Sequence, residues 1–135
     1  MQWDSSPAAG FAAEVTPWLP AGDGAAISVA AQRDDPGSVL GLCRGLLSLR
    51  RAAFGGRVAS YQPLPAPPGG WAYRVAGLTV LANFSDRPVT CQDPGGPVLL
   101  STTGPARPAA GDITLAPWQG IIVGTAGARQ REDAR

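Results

Sequence analysis

The chain holds ten carboxylates and four tryptophans but no histidine and no lysine. Without histidine it lacks the usual general base near neutral pH, the usual zinc ligand and any Ser-His nucleophile pair. Six of the acids, Asp23, Asp34, Asp35, Asp86, Asp93 and Asp112, stand beside turn-forming residues, and Glu132 and Asp133 lie next to the C-terminus. Asp4 and Glu14 remain, both in a stretch broken by Pro and Gly. Cleavage of a glycosidic bond needs two carboxylates held on opposite sides of a sugar. Two acids in one unsupported loop cannot hold such a separation, so no catalytic residue is expected here, and no metal or cofactor site either. Ser5-Ser6 and Ser101-Thr102-Thr103 have no base beside them and read as loop and strand-end polarity.

The aromatic side chains are the other candidates. An indole or phenol offers a flat apolar face with a polar edge, which suits stacking on a sugar ring. Trp71, Tyr73 and Trp118 are the candidates for that role. Their plainer reading is structural, with Trp71 on a sandwich strand and Trp118 against the core or a neighbouring domain. Trp3 and Trp18 read as anchors for a long loop.

A length of 135 residues allows one ordinary domain, or a small domain with additions. The apolar fraction is 44%, charged residues are 16% and the formal net charge is +1. No field of one sign exists to steer nucleic acid or an anionic membrane, and neither is expected as a partner. No apolar run approaches the length of a membrane-spanning helix. Neither Cys43 nor Cys91 sits in a metal-ligand spacing, and both read as buried, reduced, small hydrophobes. With 18 Gly and 14 Pro, the composition suits a turn-rich β protein.

Three stretches must position these residues. Residues 1–37 carry Pro7, Gly10, Pro17, Pro20, Gly22, Gly24, Pro36 and Gly37, and are expected to be irregular. A helix follows. Asp34-Asp35-Pro36 offers a cap and first-turn proline, and Ser38 a second cap. Val39, Leu42, Cys43, Leu46, Leu47 and Phe54 recur at helical spacing, widened by Leu40 and Leu49, and Gly55-Gly56 ends the run. The period then changes to two. Trp71, Tyr73 and Val75 alternate with Ala72 and Arg74, and Leu78, Val80, Ala82 and Phe84 with Thr79, Leu81 and Asn83. Ala76-Gly77 joins these runs as a hairpin. Further strands are predicted over 58–62, 88–92, 98–101, 112–115 and 120–123, which makes seven and points to a small antiparallel β-sandwich. The 63–70 stretch reads as a hairpin loop, and 125–135 as a flexible tail.

Met1-Gln2-Trp3-Asp4, then Ala9-Gly10-Phe11, then Pro17-Trp18, resembles the loop after the eighth barrel strand of glycoside hydrolase family 13, in its α-glucosidase and oligo-1,6-glucosidase branch. The resemblance continues in order. Asp35 to Arg51, with Ser38-Val39-Leu40 and Leu46-Leu47-Ser48-Leu49-Arg50-Arg51, is similar to the eighth barrel helix. Trp71-Ala72-Tyr73-Arg74, Leu78 to Ser85 and Leu115-Ala116-Pro117-Trp118 are similar to the C-terminal β domain. The family typically has Arg-Thr-Pro directly before Met-Gln-Trp-Asp, and here the run begins at Met1, which leaves open whether Met1 is a true start or an internal residue. The resemblance covers residues 1–124.

The resemblance thus implies a mainly β chain with an irregular loop and one amphipathic helix, the last of an incomplete (β/α)8 barrel, preceding a small antiparallel β-sandwich. The expected divisions are a barrel tail over 1–56 (rim loop 1–34, helix 35–54), a sandwich over 57–124 and the tail over 125–135. The family's nucleophile, acid/base and substrate-binding His lie upstream and have no counterpart here. Gln2, Trp3 and Asp4 carry over as rim residues near the acceptor-side subsites. The expected function is that of a non-catalytic C-terminal portion of a cytoplasmic retaining α-glucosidase, whose partners are the missing catalytic barrel and an α-glucan or oligosaccharide. Isolated, it is expected to be inactive and self-associating, because the helix leaves its apolar face wet. The alternatives are a free-standing carbohydrate-binding or interaction module, and a parent specific for sucrose isomerisation or trehalose formation.

Overall fold

The computed structural model describes residues 1–11, 18–20, 22–103 and 111–124, with the backbone alone at 108–109. Glu14, Thr16-Pro17 and the 125–135 tail lie outside these residues. The chain divides into two compact units, Met1–Leu47 and Ser48–Arg135.

In the first unit the expectation of an irregular lead-in needs correction. It contains two four-residue helices, α1 (Gly24–Ile27) and α2 (Val29–Gln32). Each is fixed by its cap rather than by periodicity. The Asp23 carboxylate accepts from the Ala25 amide at 3.0 Å, and the Ser28 hydroxyl accepts from the Ala31 amide at 3.2 Å. The long helix, α3 (Val39–Phe54), is capped by Ser38, the second of the two expected caps, rather than by Asp34-Asp35-Pro36. Ser38 Oγ accepts from the Gly41 amide at 3.0 Å, and Gln32 Oε1 accepts from the Leu40 amide at 3.1 Å. Two of the amides that no helix can satisfy internally are thereby paired. Asp35 instead closes a turn by accepting from the Gly37 amide at 2.8 Å.

Gly55 and Gly56, both at positive φ, end α3, and Gly55 N donates to Arg51 O. None of the sixteen residues of α3 is buried. Val39 is 70% exposed and Leu47 52%. Cys43 is exposed and free, against the expectation that it is buried, because it lies on this uncovered helix surface.

The second unit is a sandwich of two antiparallel sheets. Their strands are β1 (Tyr61–Leu64), β2 (Gly70–Val75), β3 (Leu78–Asn83), β4 (Val89–Gln92), β5 (Val98–Ser101), β6 (Pro108–Ala109), β7 (Asp112–Leu115) and β8 (Gly120–Gly124). One sheet has the order β1-β2-β3-β8-β5 and the other β4-β7-β6. The mainly β fold matches the sequence expectation. The two-residue β6 was not anticipated, and β1 begins three residues later than the predicted 58–62 strand. Pro63 sits inside β1, which is tolerable because β1 is an edge strand and one side of it needs no donor. Ala76 (φ 51) and Gly77 (φ 76) turn β2 into β3. Two successive positive φ values match the right-handed twist of a hairpin.

The core lies between the sheets. Ala72, Leu81, Ile121 and Val123 from the larger sheet meet Val89, Cys91, Ile113 and Leu115 from the smaller, with Leu64 and Val98 at the border. Leu115 is 0% exposed and Ile113, Ile121 and Val123 are 1% each. Burying each of these contributes about 1.5–3 kcal/mol. A polar stitch closes one end. Buried Asn83 donates to Arg87 O at 2.7 Å and Ala116 O at 2.9 Å while its own oxygen accepts from the Ser85 amide at 2.9 Å. Gln119 Nε2 reaches Thr103 O at 2.8 Å. Both amides are satisfied, as buried polar groups must be.

Two outcomes follow. Burial pushes the Cys91 thiol up, so an aromatic disulfide reagent is expected to label Cys43 alone in the native chain and both cysteines after unfolding. Labelling of two thiols without denaturant would contradict the sandwich core. At the hairpin, Ala76→Asn is expected to raise the stability of the second unit by about 1 kcal/mol, because Asn tolerates the left-handed region better than Ala. Urea unfolding of the two forms checks this.

Candidate functional site

The first four residues are held in place by the start of α2. The Val29 and Ala30 amides donate to the carbonyls of Gln2 and Trp3, each at 2.9 Å. These are among the α2 amides that have no partner inside the helix. Trp3 N in turn donates to Ala9 O at 2.9 Å. Ala9 (φ 53) and Gly10 (φ 75) then reverse the chain, and Gly10 N donates to Ser6 Oγ at 3.0 Å. A methyl group on Gly10 would stand 2.8 Å from Trp3 Cβ and 2.9 Å from Asp4 Oδ2. Glycine is needed here both for its φ and for the close approach.

Asp4 accepts from the Ser6 amide at 2.9 Å. The Ser6 hydroxyl and then its amide hold the Asp4 carboxyl below the usual aspartate value of 3.8, with burial opposing them. Asp4 is therefore an ionised turn-former tied to its own loop. Gln2 takes a different course. It lines an open, mostly apolar cavity of about 710 Å³ with Met1, Phe11, Trp18, Leu19 and Ile27. Its buried Oε1 has no hydrogen-bond partner among the described residues. Trp3 (50% exposed) and Asp4 are not in this lining. Of the three rim candidates, the structure brings Gln2 alone to the cavity.

The aromatic candidates lie in the second unit. Trp71 and Tyr73 point to the same face of β2, with ring centroids 4.8 Å apart and planes tilted by 42°. They belong to a longer row. Tyr61 stands 5.2 Å from Tyr73, and Phe84 stands 6.1 Å from Trp71. Sequence reasoning missed these two as members, and the sheet register explains them. Tyr61 is opposite Val75 and Trp71 is opposite Ala82, so each added ring is a diagonal neighbour across strands. Trp118 does not join the row. It sits at φ 60, is 64% exposed, and donates its amide to Ser85 O. Among the described residues no three His, Cys, Asp or Glu side chains converge, and no helix is long and apolar enough to cross a membrane.

Residues 71–122, which span β2 to β8, match the family described as Domain of unknown function (DUF3459), the C-terminal domain of glycoside hydrolase family 13 enzymes. In this region the chain is similar to the C-terminal domain of glycoside hydrolase family 13 enzymes.

The fold is similar to that of trehalulose synthase MutB, an enzyme of the same family. A MutB mutant from crystals soaked with trehalulose matches with a TM-score of 0.74 and 31% identity, over 92% of this chain and 24% of that one. MutB from Pseudomonas mesoacidophila MX-45 matches with a TM-score of 0.72 and 31% identity, over 91% of this chain and 24% of that one. A MutB mutant in complex with the substrate sucrose gives the same values. The chain thus spans about a quarter of the length of the solved structures it matches. No curated protein sequence matches it.

The rim segment generates one prediction. Gly10→Ala is expected to destabilise the first unit by about 1–3 kcal/mol through overpacking against Trp3 and Asp4. The control is Gly55→Ala, also at positive φ, whose added methyl meets nothing within 4 Å. Urea titration should show the larger loss for Gly10→Ala; equal losses would mean that the close approach contributes nothing.

Proposed function

We propose that the chain serves as the non-catalytic C-terminal portion of an enzyme acting on α-glucosidic bonds, supporting a catalytic barrel and lending it a rim loop. The observation that carries this reading is the match of over nine-tenths of this chain to one quarter of a sugar-transforming enzyme, at 31% identity. The inventory of side chains agrees with it. Asp4 is tied into its own turn, and the chain contains no histidine. Residues 1–56 are then the end of the barrel, with the rim loop over 1–34 and the last barrel helix over 35–54, and 57–124 are the β-sandwich domain.

Gln2 is the rim residue best suited to touch a sugar. It lines the cavity, whose apolar walls can cover the C–H face of a sugar ring. The parent reaction in this reading is retaining cleavage or transfer at an α-glucosyl bond. The Met1-Gln2-Trp3-Asp4 run supports hydrolysis by an α-glucosidase, and the similarity to trehalulose synthase supports the sibling reaction, sucrose isomerisation. A cytoplasmic setting belongs to the same reading, and the two free cysteines accord with it. So does self-association of the isolated chain, given the exposed apolar residues of α3.

A second reading, a free-standing carbohydrate-binding module, draws on the exposure of Trp71 (47%) and Trp118 (64%). The 42° tilt and 4.8 Å contact between Trp71 and Tyr73 weigh against it, because the two rings pack on each other instead of forming one flat platform.

Purified chain is expected to release no aryl group from an aryl α-glucoside and to leave sucrose unchanged. Turnover proportional to chain concentration, retained through a second purification step, would overturn the non-catalytic reading.

A further inference from the structure

Polar side chains of a β-sandwich belong on its outer faces, and the smaller sheet obeys this rule. Thr90, Gln92, Asp112 and Thr114 face out and are exposed, and the Thr90 and Thr114 hydroxyls meet at 3.0 Å. The larger sheet does not obey it. Its five strands carry a single charged residue, Arg74. Alternation from buried Ala72 turns Arg74 to the inner side of the sheet. The register shows where this happens. Leu64, Ala72, Leu81 and Ile121 stand side by side across four strands as one apolar row of the core. One step along the same face the row reads Gln62, Arg74, Thr79 and Val123. Three neighbouring strands thus replace core residues by polar ones at the end of the sandwich that holds the Ala76-Gly77 hairpin. Thr79 is only 3% exposed. An open cavity of about 240 Å³ separates this row from β4, the edge strand of the smaller sheet. Arg74 and Thr79 line one wall, Cys91, Gln92 and Asp93 the other, and Leu81 the apolar floor. Asp93 N donates to Gly111 O, on the side of β7. Backbone groups alternate along an antiparallel strand, so the Gln92 N–H and C=O point to the edge that β7 leaves free. The Asp93 carboxyl accepts from the Gly95 amide at 2.8 Å, and a carboxylate has capacity for more than one such bond.

We propose that this end of the sandwich is a binding site for a small neutral polyhydroxy molecule, a single sugar ring or a short polyol. The lining holds one cationic and one acidic side chain. An anion drawn to Arg74 is repelled by Asp93, and a cation drawn to Asp93 is repelled by Arg74. A hydroxyl group both donates and accepts. A neutral polyol therefore uses the Arg74 guanidinium, the Thr79 hydroxyl, the Gln92 peptide group and the Asp93 carboxyl together. The apolar floor meets its carbon–hydrogen face. The volume falls below the roughly 300–1,000 Å³ of sites for drug-sized ligands, so one ring fits and a longer oligosaccharide does not. The described lining holds no aromatic ring, and a dissociation constant on the order of millimolar is expected. The site lies wholly within the second unit and stands whether or not the chain is part of a larger enzyme.

The test is methyl-selective NMR of the full chain, titrated with methyl α-glucoside, sorbitol, acetate and tetramethylammonium. The methyl groups of Thr79 and Leu81 report on this cavity and those of Ile27 on the cavity beside Gln2. Saturable shifts at Thr79 and Leu81 with a polyol are expected, weakened about tenfold or more in Arg74→Gln and in Asp93→Asn. Arg74 is exposed, and Asn keeps an oxygen for the Gly95 amide, so both variants are expected to retain the Tm of the original chain. A response to the glucoside alone identifies a ring as the ligand, and a response to sorbitol as well identifies polyols in general; either supports the site. Shifts at Ile27 with none at Thr79 and Leu81 overturn it. So does a stronger response of Thr79 and Leu81 to acetate or tetramethylammonium than to both polyols. A polyol response that is unchanged in the two variants overturns it as well.

Discussion

The pairing of β3 with β8 at the centre of the larger sheet is the constraint on which the second unit depends. Leu78-Thr79-Val80-Leu81-Ala82-Asn83 runs antiparallel to Gly120-Ile121-Ile122-Val123-Gly124, with Leu81 opposite Ile121 and Val80 opposite Ile122. One set of side chains points into the core and the other into the uncharged outer face. Because side chains alternate with a period of two, a slip of one residue would exchange the two sets. The tight Ala76-Gly77 hairpin and the Asn83 stitch pin the register at opposite ends of β3. The core pairs, the position of the aromatic row and the polar surface of the smaller sheet all follow from that register.

The first unit relies on a different device. Among its described residues, Ala8, Ala9, Ser28 and Ser38 are the buried ones. Its order comes from backbone groups that short helices leave unpaired. The start of α2 donates to Gln2 and Trp3, and the start of α3 donates to Ser38 and Gln32. A loop built this way holds its shape through hydrogen bonds while leaving Trp3, Phe11, Trp18 and the apolar stripe of α3 exposed. Such surfaces are costly in water and suit a segment that belongs inside a larger assembly.

Much of this was legible in advance. Strands at 71–75, 78–83, 98–101 and 112–115 announced themselves by alternation and by the turn residues around them, and α3 by six apolar residues at helical spacing. What escaped notice lacked a period to detect. Four-residue helices contain barely one turn, so Asp23 and Ser28 were their only signal. The strand predicted at 58–62 shifted into β1 because pairing with β2, rather than local composition, chose its limits. Of the three residues expected at a rim, Gln2 lines the cavity, while Trp3 and Asp4 point elsewhere. Adjacent residues in an extended segment point in different directions, and the sequence does not say which direction is inward.

The sequence by itself determined the architecture, because the spacing of apolar residues and the positions of Gly and Pro set which elements form and which side each one buries. It also determined that no histidine is available as a base or ligand, since a residue type that is missing cannot be supplied by folding. Tertiary structure alone decided which aromatics meet and which surfaces stay bare. Tyr61, Tyr73, Trp71 and Phe84 form one row only because the register of three strands sets them diagonally side by side. Layer order likewise decided which face of the larger sheet meets the smaller one. Contacts between residues distant in sequence depend on register and layer order, and neither is written in the local pattern.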